Sequence, residues 1–462
     1  MNDGKGSAFL SRHAEHCNRQ PGRRPLQRRS IRIQGRMSHT YRDVQGDLYM
    51  NLGGITKLSS RYARLSCSGG SFFIYIRGKK MKLENIISIV KPEFIWFHQH
   101  PELSGEEYET TKRIKSFLNK YKIPTYDLPD LETGLVAYLG NGQGPTVAIR
   151  CDIDALPLEE KSGVPYCSLI KGKMHACGHD LHTATLMGIA LALKDEPING
   201  TIQLIFQPAE ENLKGSREIL KTNILKNTDV IFGLHCSAMY KRGTIITRPG
   251  AMHGSTASFK ITFHGKGAHA CRPQLSIDPV IMTSQFVVNA QTIISRNINP
   301  FHAALLSITH IDSGTNSNII PDSGYVEGTA RTVSEKDKEI IKHRLETLSA
   351  QIASAYGGNA AFQWFDGSPA TNNNPEWAEF AEKIAILSNL PFQPAPDNLA
   401  GEDFAFYQKE IPGVFIQIGT GIYPKNHSPA FKVDPETLNE SILYGKALAL
   451  NAINKLRGES ID

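Results

Sequence analysis

Two short stretches of this sequence concentrate side chains that bind cations or move protons. In Met174-His175-Ala176-Cys177-Gly178-His179-Asp180, a thiol and an imidazole flank a glycine. Cys177 alone reads as a small buried hydrophobe, and His179 alone as a satisfied core histidine. Together, across a Gly that lets the backbone turn tightly, they are two donors suited to a divalent ion such as Zn²⁺. Asp180 falls where a helix N-cap is expected. In Gln207-Pro208-Ala209-Glu210-Glu211, two adjacent carboxylates follow an apolar run and a proline. On extended backbone, neighbours point to opposite sides, so one carboxylate can bind metal while the other handles a proton. By the same period, Asp152 and Asp154 share one side of their strand, and His235 closes a further apolar run. One thiol, several imidazoles and several carboxylates make a metal-ligand inventory.

The elements that must position these groups are short apolar runs, each ending where a polar cluster begins. Thr146–Arg150, Thr201–Gln207, Asp229–Leu234 and Gly413–Gly419 read as strands. Helical periodicity fills the spaces between them. Ser104 is placed as a cap before Tyr108, Thr111, Ile114, Phe117 and Leu118; Leu186, Ile189, Ala190 and Leu193 share a face; Asp434-Pro435 starts a helix carrying Leu438, Ile442 and Leu448. Strands alternating with helices predict an α/β fold with a helix-flanked sheet, in which ligands bind beyond the carboxyl ends of the strands. The middle differs. Ser255–His264 alternates with period two, a helix starts at Asp278-Pro279, strands follow at Ala303–His310 and Ser323–Val333, and a helix runs from Glu335 to about Tyr356. With a short strand near Ala361–Phe365, this order predicts an α+β unit of ferredoxin-like type. The expected organisation is a catalytic domain in two parts, 81–253 and 367–462, interrupted by an inserted domain at 254–366. Within that insert His269 follows Gly265-Lys266-Gly267, a flexible turn able to present an imidazole outward. Taken alone, it is a histidine on a surface loop.

Composition narrows the function classes. The chain has 462 residues, long enough for two to three domains, with 40% hydrophobic and 21% charged residues, a globular balance. Seven Cys are too sparse for a disulfide scaffold and fit a reducing cytosol, so a cytoplasmic location is expected. With no apolar run of membrane-spanning length, no membrane association is expected. The net charge of +6 divides unevenly: residues 1–80 hold 16 Lys and Arg against 4 Asp and Glu, leaving residues 81–462 at −6. The acidic body gives no electrostatic reason to expect nucleic acid. The Arg-rich head, 1–80, is expected to stand outside the fold. It reads as a transit peptide, a nucleic-acid-binding arm, or sequence upstream of the natural start at Met81.

Eight blocks, in order across about residues 85–457, resemble one family. They are Arg150-Cys151-Asp152-Ile153-Asp154-Ala155-Leu156-Pro157; His175 to Asp180 with His182; Gln207 to Glu211; Gly233-Leu234-His235; Gly265-Lys266-Gly267-Ala268-His269; Asn318-Ile319-Ile320-Pro321; Glu402-Asp403-Phe404; and His427-Ser428-Pro429. The chain is similar to the dinuclear metallopeptidase and aminoacylase group, in its hippurate hydrolase branch. That branch includes N-acyl-amino-acid amidohydrolases, N-acetyl-diaminopimelate deacetylases and plant auxin-conjugate hydrolases. The resemblance implies that Cys177, His179, Glu211, His235 and His427 ligate two divalent ions per subunit, Mn²⁺ or Zn²⁺ with Co²⁺ as a further candidate. It implies that Glu210 is the general base. His269 would stabilise the oxyanion in the site of a partner subunit, making the chain a homodimer or higher homo-oligomer. Asn318 and Arg331 would hold the carboxylate of a small N-acyl amino acid. The insert would serve as dimerisation and lid domain. Cys151, Leu181, Cys271 and Gln274 depart from the family pattern, which bears on the substrate pocket but removes no ligand.

The resulting expectation is a metal-activated water, with Glu210 accepting its proton and returning it to the leaving amine. Two alternatives compete. Cys177 could be a nucleophile with a histidine as base, which leaves Glu210, Glu211, His235 and His427 without a role. A metal-dependent binding protein without turnover is the other, since a fold does not fix a function. No GxSxG, Walker A or HExxH motif supports other hydrolase or nucleotide chemistries.

Overall fold

A computed structural model describes residues 80–461, together with the backbone of four short strands ahead of them. Those four form two antiparallel pairs, Thr40–Arg42 with Leu48–Met50 and Tyr62–Cys67 with Gly70–Tyr75. They belong to a separate unit, 1–78, and the expectation for the basic head otherwise lies outside the described residues.

The second unit is built on an eight-stranded mixed sheet. Its strands, in chain order, are β1 (Thr125–Asp127), β2 (Leu135–Gly140), β3 (Thr146–Asp152), β4 (Thr201–Gln207), β5 (Val230–Ser237), β6 (Ile245–Thr247), and, after an insertion, β11 (Phe392–Pro394) and β12 (Gly413–Gly419). The order across the sheet is β11-β6-β12-β5-β3-β4-β2-β1. The centre, β12-β5-β3-β4, is parallel. Parallel strands are covered on both faces and read as continuous apolar runs, and the period-two alternation sorts them into two cores. Val147, Ile149, Phe232, Leu234, Val414 and Ile416 join one core, beneath helices α1 (Leu83–Gln99), α3 (His179–Leu193), α7 (Pro375–Leu387) and α9 (Thr437–Leu456). Ala148, Ile231 and Phe415 join the other, beneath α4 (Gly215–Lys221) and α8 (Phe404–Glu410). Helix α3 is buried on all sides between α1 and α9, which explains its lack of a polar face.

Between β6 and β11 the chain builds the predicted α+β unit. Strands β7 (Ser255–His264), β8 (Ala304–Ser313), β9 (Ser323–Thr332) and β10 (Asn359–Asp366) form an antiparallel sheet in the order β8-β9-β7-β10. That is the ferredoxin-like arrangement, with α5 (Pro279–Asn297) and α6 (Glu335–Ala355) packed on one face, Phe286 and Leu345 meeting Phe259 and Phe263 of β7 in one core. Asp278 caps α5 at Val280 N and Ser334 caps α6 at Asp337 N, as their sequence positions suggest. The two crossings into this unit pair with each other, Gly250–His253 against Thr371–Asn373. No helix among the described residues is long and apolar enough to cross a membrane.

Three local expectations change. Ser104 does not cap α2 (Tyr108–Lys120); the Glu102 carboxylate does, accepting from Glu109 N and Thr110 N, while Ser104 Oγ donates to Asp154 Oδ2 at 2.6 Å. Asp180 lies inside the first turn of α3, because Gly178 takes the cap position. Glu210 and Glu211 stand in a turn rather than on extended backbone, since β4 ends at Gln207 and Ala209 has φ +55°.

Candidate active site and metal centre

The polar clusters converge beyond the carboxyl ends of β3, β4 and β5, at the amino end of α3. Gly178 makes the approach possible. Its φ is +87°, and a Cβ there would lie 2.3 Å from Cys236 Sγ, so only glycine lets Cys177 and His179 turn toward the same space. Cys177, His179 and Glu211 each bring a ligand atom within 4.8 Å of the others, and so do Asp152, His179, His182 and His235. Cys177 Sγ stands 3.5 Å from His235 Nε2. Glu211 Oε1 faces His427 Nε2 at 3.4 Å and His179 Nε2 at 3.9 Å. His427 arrives from a loop, with φ +64° and its N–H donated to Ala176 O. All five ligands expected from the sequence thus come together, three of them buried, with Glu211 partly buried and His427 exposed.

Second partners fix the orientation of these donors. His179 Nδ1 lies 3.1 Å from Asp154 Oδ1, and Asp154 also accepts from Ser104 Oγ and Glu211 N. His235 Nδ1 lies 2.7 Å from the Cys236 carbonyl, which can only accept, so Nε2 is left without the proton and turned toward Cys177. This pattern is typical of metal-binding histidines. His182 differs: Nδ1 is spent on Asp152 at 2.5 Å and Nε2 accepts from Cys236 N at 2.7 Å. It braces the site rather than facing it. Asn426 Nδ2 donates to Cys177 Sγ at 3.4 Å.

Two observations indicate that the cluster suits a cation. His179 Nε2 and Glu211 Oε1 are buried without a hydrogen bond, a cost that protein interiors rarely carry. The charges are also unbalanced. Burial opposes charge on His179, yet Asp152, Asp154 and Glu211 raise it to about 10. Burial, Glu211 and Glu210 push the Cys177 thiol well above its usual range. Cations among these groups would displace both protons. Thiolate, imidazole and carboxylate together favour transition-series divalent ions over Ca²⁺ or Mg²⁺. The same electrostatics disfavour a thiol nucleophile. Although Cys177 and His235 are close enough to pair, Cys177 holds its proton tightly, while burial and then His182 push His235 well below its ordinary value.

Beside the centre lies a second cluster, Glu210, Glu402 and Asp403, with ligand atoms within 4.8 Å of one another. Arg150 sits fully buried among them, bonding Asp152 at 2.6 Å, Asp403 at 2.7 Å and Gln207 Oε1 at 2.9 Å, with Glu402 at 3.3 Å. Burial first, then Glu402, Asp403 and Glu211, drive the Glu210 carboxyl well up, with Arg150 opposing. Such a carboxyl is suited to accept a proton and release it again. The network around Arg150, the orienting roles of Asp154 and Ser104, and Asn426 are absent from the residue-by-residue sequence reading. The one available signal for Arg150 is a charge closing an otherwise apolar strand.

The insert places its candidates at two ends of one sheet. Arg331 pairs with Thr256 near the crossings; a Cβ on Gly401, next to Glu402, would lie 3.6 Å from its Nη1. The Arg331 side chain has no ion pair or hydrogen bond among the described residues and is half-buried, which lowers its pKa. His269 and Asn318 lie together past the other end. His269 pairs with Ile319, and the Asn318 carbonyl accepts from Ala270 N. Eight residues of β7 separate Thr256 from His264, so the two ends are roughly 27 Å apart at about 3.4 Å per residue. Both His269 and Asn318 are exposed, and Cys271 N donates to His269 Nδ1 at 3.2 Å, leaving Nε2 free.

Residues 148–451 match the family model described as peptidase family M20/M25/M40. N-acetylcysteine deacetylase of Bacillus subtilis is 39% identical over 363 residues, 78% of this chain and 96% of that protein. IAA-amino acid hydrolase ILR1-like 5 of Arabidopsis thaliana is 36% identical over 393 residues, 79% of this chain and 88% of that protein. Among solved structures, the Bacillus subtilis YXEP protein, described as a dinuclear metal binding peptidase from the M20 family, superposes with a TM-score of 0.73 at 35% identity. The match covers 80% of this chain and 99% of that one.

Proposed function

This chain belongs to peptidase family M20/M25/M40, and from that premise we propose that it hydrolyses the amide bond of small N-acyl amino acids. The observation that carries the reading is the convergence of Cys177, His179, Glu211, His235 and His427 around buried, unbonded donor atoms, with the Glu210 carboxyl beside them among Glu402 and Asp403. These five side chains would hold two divalent ions, Mn²⁺ or Zn²⁺, with Co²⁺ a further candidate. When bound, such ions supply Lewis acidity at the scissile carbonyl and lower the pKa of a water. The chain's own residues do the rest. Glu210 accepts the proton of the attacking water as its oxygen bonds to the carbonyl carbon, and delivers that proton to the nitrogen as the C–N bond breaks. Arg331, unpaired and close to Gly401, takes the substrate carboxylate within the same chain. His269 and Asn318 act from a second copy, because the length of β7 keeps them far from their own chain's Arg331.

The test is turnover. Metal-free protein reconstituted with Mn²⁺, Zn²⁺ or Co²⁺ is assayed on N-acetyl, N-benzoyl and N-indoleacetyl amino acids. Hydrolysis of at least one, only after reconstitution, is the expected result; none with any metal would overturn the reading. Cation binding should also release about one to two protons per chain near neutral pH, since Cys177 and His179 must both lose theirs to ligate. Apparent affinity therefore rises with pH, measurable by calorimetry in buffers of different ionisation heat.

The trans role of His269 is tested by mixing His269→Ala chains with Glu210→Gln chains, each nearly inactive. A mixed dimer holds one site with both residues intact and one with neither. Recovery toward half of wild-type activity per mixed dimer is expected after subunit exchange. No recovery, with exchange demonstrated, would place His269 in its own chain's site or outside catalysis.

A further inference from the structure

The joint between the inserted unit and the catalytic sheet is a paired ribbon rather than two free strings. Beyond the strand pairing of Gly250–His253 with Thr371–Asn373, Thr256 N donates to Ser368 O, Gly367 N to Thr256 O, and Ser368 N to Thr256 Oγ1. Two segments of the catalytic part press on this same knot of residues. Arg217, in α4, donates from Nη2 to the Gly367 carbonyl at 3.2 Å while its guanidinium lies 4.2 Å over the ring of Phe406 in α8. Gly401 fits against the joint so closely that a Cβ would lie 2.6 Å from Thr256 Cγ2 and 3.0 Å from Ser368 Oγ.

Both segments lead directly to the site. Helix α4 begins four residues after Glu211, and its Ser216 N–H is donated to Asp403. Helix α8 begins immediately after Glu402 and Asp403, and Gly401 immediately precedes them. From the helix that follows the base, Arg217 therefore touches both the returning crossing and the helix that follows the carboxylates packed around the base. Its Nε is buried without a hydrogen bond. A buried unsatisfied donor is a cost, and this one sits where the crossing meets both helices.

We propose that Arg217 is a positioning residue that couples the angle of the inserted unit, and with it the substrate-binding Arg331, to the loops carrying Glu210 and Glu402. The inference rests on the hydrolase reading for its kinetic consequence but not for its structural one. Residues at a hinge alter kcat and KM together when replaced, whereas a residue that only stabilises the fold changes neither in the folded fraction.

The experiment uses the full chain with metal bound. Arg217→Ala should raise KM and lower kcat together, for a drop in kcat/KM of about tenfold, with metal content unchanged. Hydrogen exchange at the Thr256, Gly367 and Ser368 amides should accelerate. Arg217→Lys keeps a donor for the carbonyl and a cation over Phe406, and should return kcat/KM to within about twofold of wild type. Gly401→Ala pushes on the same joint from the other side, so it should reproduce the paired change and does not depend on Arg217→Ala folding. Wild-type kinetics in Arg217→Ala, a loss that lysine does not rescue, or unchanged exchange at the three amides would each overturn the proposal. A wild-type protein inactive on every N-acyl amino acid would instead sink the functional reading, and the exchange measurement would still decide the role of Arg217.

Discussion

Glu210→Gln should keep its full complement of metal and lose about 10²–10⁴-fold in kcat, the usual worth of a general acid–base group. The amide is isosteric and can still hydrogen-bond, but it cannot take the water's proton. Glu210 is the only one of the two adjacent carboxylates that turns away from His179 and His427 and toward Glu402 and Asp403. Glu211→Gln should behave oppositely, losing bound metal because it removes the negative charge of a donor oxygen that faces two imidazoles. Metal analysis and kinetics on the same preparations separate the two. Loss of metal from Glu210→Gln, with normal turnover in whatever metal-bound fraction remains, would mean that the roles are exchanged.

Arg150→Met should destabilise the fold by about 3–5 kcal/mol, the cost of leaving buried charges without their partner. The guanidinium is fully buried and is the cation shared by Asp152, Glu402 and Asp403. The effect should depend on pH with a definite sign. Burial raises the Glu402 carboxyl to about 8 although Arg150 pulls against it. In the unfolded chain this group titrates near 4.5. The folded state therefore holds the extra proton between those values. The group's contribution to stability is complete below about pH 4.5 and is lost as pH rises through about 8. Without Arg150 the carboxylates have nothing to oppose their repulsion, so stability should decline more steeply across that window. Denaturant titrations at pH 5 and pH 8 provide the check; an Arg150→Met protein as stable as wild type at both would show the cluster to be neutral on balance.

The parts of the site that lay at the ends of long apolar strands were legible without any comparison. Glu210 and Glu211 follow a strand, and His235 stands near the end of one, whose buried residues announce them; Cys177 and His179 are marked by the glycine between them. His427 was not legible in that way. It sits in a loop at positive φ, fixed by a single backbone bond to Ala176, and no periodicity leads to it; only the family pattern singled it out. Arg150, though it opens one of the family blocks, had no legible role for the opposite reason. It occupies a strand position where burial is the rule, and its value depends on Glu402 and Asp403, some 250 residues away in sequence. Pairing of that kind leaves no local trace. The fold shows the same division. The four central strands of the large sheet and all four of the inserted sheet fell within a few residues of their expected positions, whereas β2, six residues long, was not anticipated. The short strands β1 and β11 at the edges and β6 beside β11, each three residues long, carry too little pattern to be read. The direction of Glu210 and Glu211 was anticipated as divergent for a reason the structure replaces: a turn forced by Ala209 separates them, not the alternation of a strand.

The span between Arg331 at one end of the inserted sheet and His269 with Asn318 at the other has a consequence for the chain in solution. If His269 and Asn318 act from a second copy, as proposed, a lone copy carries the proposed metal ligands and the base and still lacks part of the machinery, so a complete site is a property of the pair. Specific activity per chain then depends on total concentration: it is constant while association is saturated and falls on dilution through the dissociation constant, with a lag on reconcentration set by the rate of encounter. Metal occupancy, held within one copy, would not follow that curve. Newly made chains would in this way be charged with metal before they are able to cut anything.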